Sequence, residues 1–172
     1  GLLQHAHYRT TPSDLHRLLD SPNLDLHVMM LQGHAVAVNV VAREGGLDAD
    51  TTAAIYEGRQ RVRGHALPDT LSSHRGVLQA PQMTWIRSVR IATHPSLRGR
   101  GLARRLVEHV HHSYAPDGFG TLFGVTPEVL GFRHRLGYRL VRLSTSRGGR
   151  TGEPAAVMVR PCSAAAHEAV TT

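Results

Sequence analysis

The stretch that most constrains this chain is Trp85–Ala103. Trp85-Ile86-Arg87-Ser88-Val89-Arg90-Ile91-Ala92 has strand character and runs into a tight turn, Thr93-His94-Pro95-Ser96-Leu97-Arg98-Gly99-Arg100-Gly101. The turn opens a helix whose apolar face is Leu102, Leu106, Val107 and Val110. The first turn of a helix carries N–H groups without intrahelical partners and the positive end of the macrodipole. Glycines let a backbone approach a phosphate closely, and arginines add charge. Arg98-Gly99-Arg100-Gly101-Leu102-Ala103 therefore reads as a phosphate-binding loop in preference to a plain basic turn. No Gly-Lys-Ser/Thr follows, which disfavours a nucleoside triphosphate loop. The third glycine of a dinucleotide fold is missing, as is the acidic residue after the next strand.

Around this unit the pattern alternates. Thr11-Pro12-Ser13-Asp14 reads as a helix start, with Leu15, Leu18 and Leu19 on one face and Asp20-Ser21-Pro22 as the stop. Leu24 to Ala42 reads as a hairpin turning at Gln32-Gly33. Residues 43–83 form an insertion in which Asp50 to Arg61 has helical character. A connection of that length is functional or mobile. Phe119–Val125 reads as a strand and Pro127–Leu136 as a short helix closed by Gly137. Tyr138–Leu143 and Ala155–Val159 read as the last strands, with Ser144–Gly152 as a loop between them. The tail, residues 162–172, is expected to fray. The class is α/β with a mixed sheet in a single domain over residues 1–161.

With 172 residues and 41% hydrophobic content, the chain can bury a core. Its 20 Lys plus Arg are all arginine and exceed 13 Asp plus Glu by 7. Arginine suits bidentate phosphate recognition, so a polyanionic partner fits, although a GC-rich genome also replaces lysine by arginine. No apolar run approaches a membrane span, and no signal peptide is evident. A lone Cys162 allows no internal disulfide, which points to a reducing, cytoplasmic compartment. The opening on Gly1 reads as a piece of a longer protein that retains a tag residue. His109 and His112 share a helix face, but the spacing places no third ligand, so no metal is expected.

Ile91-Ala92-Thr93-His94-Pro95 followed by Arg98-Gly99-Arg100-Gly101-Leu102-Ala103 resembles the Arg/Gln-x-x-Gly-x-Gly/Ala loop of the GNAT N-acetyltransferases. Phe132-Arg133-His134-Arg135-Leu136-Gly137-Tyr138 is similar to their second motif. The resemblance implies a mostly antiparallel GNAT sheet flanked by helices, with acetyl-CoA as cofactor. It assigns the cofactor to Ile91, Ala92, Thr93, Arg98, Gly99, Arg100, Gly101, Leu102, Ala103 and Arg104, with Glu128 and Arg135. Several further stretches are similar to the acetyltransferase domain of tRNA(Met) cytidine acetyltransferases. They are Ala6 to Asn23, Arg63-Gly64-His65-Ala66-Leu67-Pro68, Val89 to Pro95, and Gly124-Val125-Thr126-Pro127-Glu128.

That resemblance implies acetylation of the wobble cytidine of elongator tRNA(Met), giving N4-acetylcytidine. The family carries an ATP-driven helicase-like module, and this chain does not contain one. Cytidine's exocyclic amine is neutral, but its lone pair is delocalised, so its attack needs a positioned base and oxyanion donors. On the residues alone, His7 reads first as a residue that packs before the first helix; the resemblance gives it the catalytic role, with Tyr8 beside it. The tyrosine acid common in GNAT enzymes is replaced by Arg133, leaving His134 or water to protonate the thiolate. Arg9, Arg59, Arg61, Arg63, His65 and Arg75 form the candidate RNA surface, where phosphate neutralisation gives salt-dependent binding; from composition alone an ordinary solvated loop is an equal reading. Two alternatives remain open: a GNAT acting on a small amine or protein N-terminus, and a non-catalytic acetyl-CoA- or RNA-binding module.

Overall fold

A computed structural model describes residues 20–147 and 154–171. The hairpin forms as the sequence predicts. Strand β1 (Leu24–Leu31) pairs antiparallel with β2 (His34–Gly45). Gln32 and Gly33 both adopt positive φ, 49° and 80°, the twist that a two-residue hairpin turn requires. Val36–Ala42 is buried at every position, as in a strand covered on both faces.

The insertion departs from the expected long connection. It contains helix α1 (Ala49–Tyr56) and helix α2 (Ala66–Arg75). Asp48 caps α1, its carboxylate accepting from Thr51 N at 2.8 Å and from Thr51 Oγ1 at 2.8 Å. Gly76, in the left-handed region, closes α2. Sequence periodicity missed α2 because its capping comes from a distant side chain: the buried Glu44 carboxylate accepts from Leu67 N at 2.8 Å.

Strand β3 (Thr84–Thr93) follows, then a short 3-10 turn at Pro95–Leu97 and helix α3 (Leu102–Ser113). Strand β4 (Gly118–Gly124), helix α4 (Pro127–Arg135) and strands β5 (Arg139–Arg147) and β6 (Pro154–Pro161) complete the sheet. Its order is β1-β2-β3-β4-β6-β5, and the β1/β2, β4/β6 and β5/β6 pairs are antiparallel. The class is α/β, as expected. Two boundaries differ. Strand β5 continues to Arg147, into the stretch read as a loop, because Arg147 still pairs with Pro154. The tail is helical: α5 (Ala164–Thr171) packs a fully buried Ala166 into the core. Ser163 Oγ caps that helix by accepting from Ala166 N at 3.1 Å.

The chain divides into two compact units, one of residues 1–42 and 88–114 and the other of 43–87 and 115–172. In the second, Leu67, Leu71, Met83, Trp85, Val157 and Val159 build the core. Trp85 is 1% exposed, and its indole N–H donates to Ala80 O at 2.8 Å. It is a core residue. Asp117 fastens three segments. Its carboxylate accepts from Thr84 N and Oγ1, and its carbonyl accepts from Cys162 N and Ser163 N.

In the first unit, β1 is tied to the end of α3 by a polar chain. Tyr114 donates its hydroxyl proton to Asp25 Oδ2 at 3.0 Å. With its proton committed to Asp25, the Tyr114 hydroxyl oxygen accepts from His27 Nε2–H at 2.8 Å, which assigns the His27 tautomer. His109 lies edge-on to His27, with ring centroids 5.7 Å apart. Burial lowers the His27 pKa, helped by repulsion from His109 and opposed by Asp25.

Two outcomes follow from this packing. A Cβ at Gly118 would lie 2.6 Å from Trp85 Cζ3, and the indole is held by its own hydrogen bond. Gly118→Ala should therefore cost about 1–3 kcal/mol in urea unfolding. The depressed pKa of His27 means that the unfolded chain binds its proton more tightly. Stability from this group is present above pH ~6.5 and falls as pH drops through the lower folded value. Stability measured against pH should decline less on the acid side in His27→Gln than in the unsubstituted chain; an unchanged slope would remove His27 from the account.

Candidate active site

The strand–turn–helix singled out in the sequence lies wholly within the described residues. His94 N donates to Val36 O at 2.8 Å, pinning the end of β3 to β2. The His94 side chain accepts from Ser96 N at 3.3 Å, and Leu97 N closes back on His94 O at 2.9 Å. Pro95 sets the φ of this small turn. The chain then leaves through Arg98 in an extended conformation.

Gly99 and Gly101 both have φ of 75°, a region costly for residues with a Cβ. A Cβ at either would meet nothing within 4 Å, so both glycines border open space. Gly101 occupies the N-cap of α3 and supplies no side-chain cap. The first turn of α3 thus keeps its backbone donors and its positive dipole end for an external acceptor. The amphipathic character of α3 holds this end in place: Leu106, Val107 and Val110 are buried.

The charges around the turn are positive. Arg98, Arg100 and Arg105 are exposed and have no carboxylate partner among the described residues. Arg104 differs, its Nε donating to Glu108 Oε1 at 2.8 Å one turn on. That hydrogen bond raises the Arg104 pKa and lowers that of Glu108. Of the remaining predicted cofactor residues in this segment, Ala92 is buried. Ile91, Thr93, Leu102 and Ala103 are half-buried, and they frame the turn with apolar surface. The arrangement can seat a pyrophosphate on backbone N–H groups and flank it with guanidinium groups.

Helix α4 belongs to the second unit. Thr126 caps it by accepting from Val129 N at 3.3 Å, and Glu128 is exposed in its first turn, where an acid favours the helix dipole. Arg135 and His134 are exposed in the last turn. Arg133, standing where a tyrosine acid is common, is 3% exposed and lies between the rings of Phe132 and Tyr138, 5.5 and 5.4 Å from their centroids. Burial pushes the Tyr138 pKa up and lowers that of Arg133, which the charge of the phenol and a hydrogen bond to it oppose only in part. This position packs the helix and presents no acid.

Of the predicted RNA residues, Arg59, Arg61 and Arg63 are exposed between α1 and α2, and Arg59 is paired with Glu57. His65 is half-buried, and its Nδ1 accepts from Gly45 N at 2.8 Å. Arg75 is exposed at the far end of α2. His7, Tyr8 and Arg9, with the helix expected from Thr11, lie outside the described residues. Sequence reasoning missed two buried polar pairs. Asn39 is fully buried and accepts from Ser88 Oγ at 2.9 Å; its position within Val36–Ala42 was the available signal. Arg87 Nε donates to Glu44 Oε1 at 2.6 Å, a pairing that no local pattern announces.

Comparison with known proteins agrees with this geometry. A family model described as GNAT acetyltransferase 2 matches residues 1–119. The tRNA(Met) cytidine acetyltransferase of Nitrosococcus halophilus is 44% identical over 166 residues, 95% of this chain and 22% of that protein. The enzyme of the same name from Haloarcula marismortui is 47% identical over 165 residues, 95% of this chain and 21% of that protein. The chain thus spans about a fifth of the length of these curated relatives. Among solved structures, the ribosomal-protein-S18-alanine N-acetyltransferase from Escherichia coli aligns with a TM-score of 0.61 at 13% identity, covering 94% of this chain and 84% of that one. An agmatine N-acetyltransferase mutant aligns with a TM-score of 0.60 at 16% identity, covering 88% and 83%; at such identities the likeness concerns the fold. By sequence motif, by sheet order and by the glycine turn that opens α3, the chain belongs to the GNAT acetyltransferase family.

Proposed function

We propose that this chain transfers an acetyl group from acetyl-CoA to the exocyclic amine of a cytidine in RNA, the wobble cytidine of elongator tRNA(Met) being the acceptor. The observation that carries the donor half is the uncapped glycine turn: two left-handed glycines bordering open space, ahead of a helix with no side-chain cap. That turn fits the pyrophosphate of coenzyme A, with Arg98 and Arg100 as flanking charges. Acetyl-CoA supplies the acetyl group as an activated thioester. Glu128 and Arg135 are further cofactor contacts on this reading, which for them rests on the family resemblance alone.

The acceptor half rests on the relatives named for cytidine acetylation and on the arginine content of the chain. Cytosine's amine is a weak nucleophile, so a base must remove its proton as attack proceeds. His7 is proposed as that base, since histidine titrates near neutral pH, with Tyr8 orienting or stacking on the ring. A backbone N–H of β3 polarises the acetyl oxygen. Arg133 is packed between aromatic rings, so protonation of the departing thiolate falls to the exposed His134 or to water. In the long relatives a helicase-like ATP module would deliver the RNA, and the present chain is the transfer domain. The cytoplasm is the compartment that fits this substrate.

Calorimetric titration with acetyl-CoA tests the donor site. Binding in the micromolar range, about −8 kcal/mol, is expected for the unsubstituted chain and none for Gly101→Glu. That substitution places a side chain and a negative charge where a left-handed glycine faces the phosphate. A folded chain that ignores acetyl-CoA would overturn the acetyltransferase reading. His7→Ala should keep its acetyl-CoA affinity while acetylcytidine formation on tRNA(Met), read by mass spectrometry, drops by about a hundredfold or more. Parallel loss of affinity and activity would assign His7 to structure instead.

A further inference from the structure

We propose that the loop 57–64 between α1 and α2, with Tyr56 at its base, is a grip for single-stranded RNA in which Tyr56 stacks on a base while Arg61 and Arg63 neutralise neighbouring phosphates. This deepens the RNA-acceptor reading above and rests on it, naming the surface that holds the strand.

Tyr56 is the last residue of α1 and is 49% exposed. An aromatic ring left in solvent at the foot of an arginine-bearing loop is an unusual use of apolar area, since such rings normally contribute to a core. Arg61 and Arg63 are exposed and have no carboxylate partner among the described residues, whereas Arg59 is occupied by Glu57. The loop therefore offers two uncommitted guanidinium groups and one ring.

Its two ends are held. Gly58 N donates to Ile55 O at 3.0 Å, and Arg59 N and Gln60 N both donate to Ala54 O, at 2.9 and 3.2 Å. At the other end His65 accepts from Gly45 N, and Leu67 N donates to the buried Glu44. A loop rooted at both ends loses less conformational entropy when a ligand orders its side chains.

The pairing of ring and arginines selects the partner. Phosphates alone would serve a duplex equally well. An exposed tyrosine adds affinity only where a base face is available, and base faces are available in single strands and loops. Arg75 belongs to a different place: the ten residues of α2 separate it from the loop by about 15 Å. The run of basic residues that looks continuous in the sequence is thus two separate charge centres, and the ring accompanies the first.

Fluorescence anisotropy of the full chain with a labelled 12-nucleotide pyrimidine RNA, from about 50 to 200 mM salt, tests this. Tyr56→Ala should weaken binding about tenfold with the salt slope unchanged, and Tyr56→Phe should restore it. Arg61→Ala and Arg63→Ala should each lower the slope by about 0.7. Duplex RNA of equal length should be indifferent to Tyr56→Ala. All three positions are exposed, so thermal midpoints should be unchanged. If the unsubstituted chain binds and acetylates RNA while the loop variants keep full affinity, the grip is overturned and the RNA-acceptor reading stands. If the unsubstituted chain binds no RNA, both fall, and an acidic protein surface becomes the better occupant of the loop.

Discussion

Within the second unit, the buried carboxylate of Glu44 is the constraint on which the surrounding elements depend. Its residue is 4% exposed, and a carboxylate so far from water is tolerated only when both oxygens are answered. Arg87 of β3 answers one, at 2.6 Å, and Leu67 N at the start of α2 answers the other, at 2.8 Å. The neighbouring Gly45 N is in turn received by His65. One side chain near the end of β2 thereby fixes the strand beside it and the first turn of a helix more than twenty residues away. Leu67 then enters the core beside Trp85 and Val159. Losing either partner would leave an uncompensated charge, which is far more destabilising than replacing the whole pair.

This explains where the sequence was legible and where it was not. Gln32-Gly33 between alternating valines announced a hairpin, because turn chemistry and strand period are both local. Gly101 followed by Leu102, Leu106, Val107 and Val110 announced α3 for the same reason, and with it the uncapped glycine turn at the start of the helix. Helix α2 was missed because its first turn is satisfied by Glu44 rather than by an adjacent Ser, Thr or Asp. Helix α5 was read as a fraying tail because its stability comes from Ala166 in a core assembled from distant residues. The extension of β5 to Arg147 was hidden by Ser and Thr, which follow the partner strand rather than a preference of their own.

The candidate site divides along the same line. The glycines, the following arginines and the helix start could be read directly, since a phosphate loop is made by backbone geometry that short spacing encodes. His7 and Tyr8 come from family resemblance and lie outside the described residues. The exposed state of Tyr56 had no sequence signal at all, because a tyrosine at the end of a helix is ordinarily packed against the body of the protein.

Two kinds of recognition are combined on this reading, and they fail differently under substitution. A helix N-terminus binds phosphate through N–H groups that no side-chain substitution removes, so only a change that blocks the turn or reverses its charge should abolish donor binding. A loop that binds through arginines and a ring loses affinity in increments, one side chain and one phosphate at a time. Donor binding is therefore all-or-none with respect to the glycines, whereas acceptor binding is graded and salt-dependent. An enzyme built this way can change its RNA preference by altering the exposed loop without disturbing the fold that holds its acetyl donor, because the surface residues carry little of the stability and the buried Glu44 holds the roots of the loop.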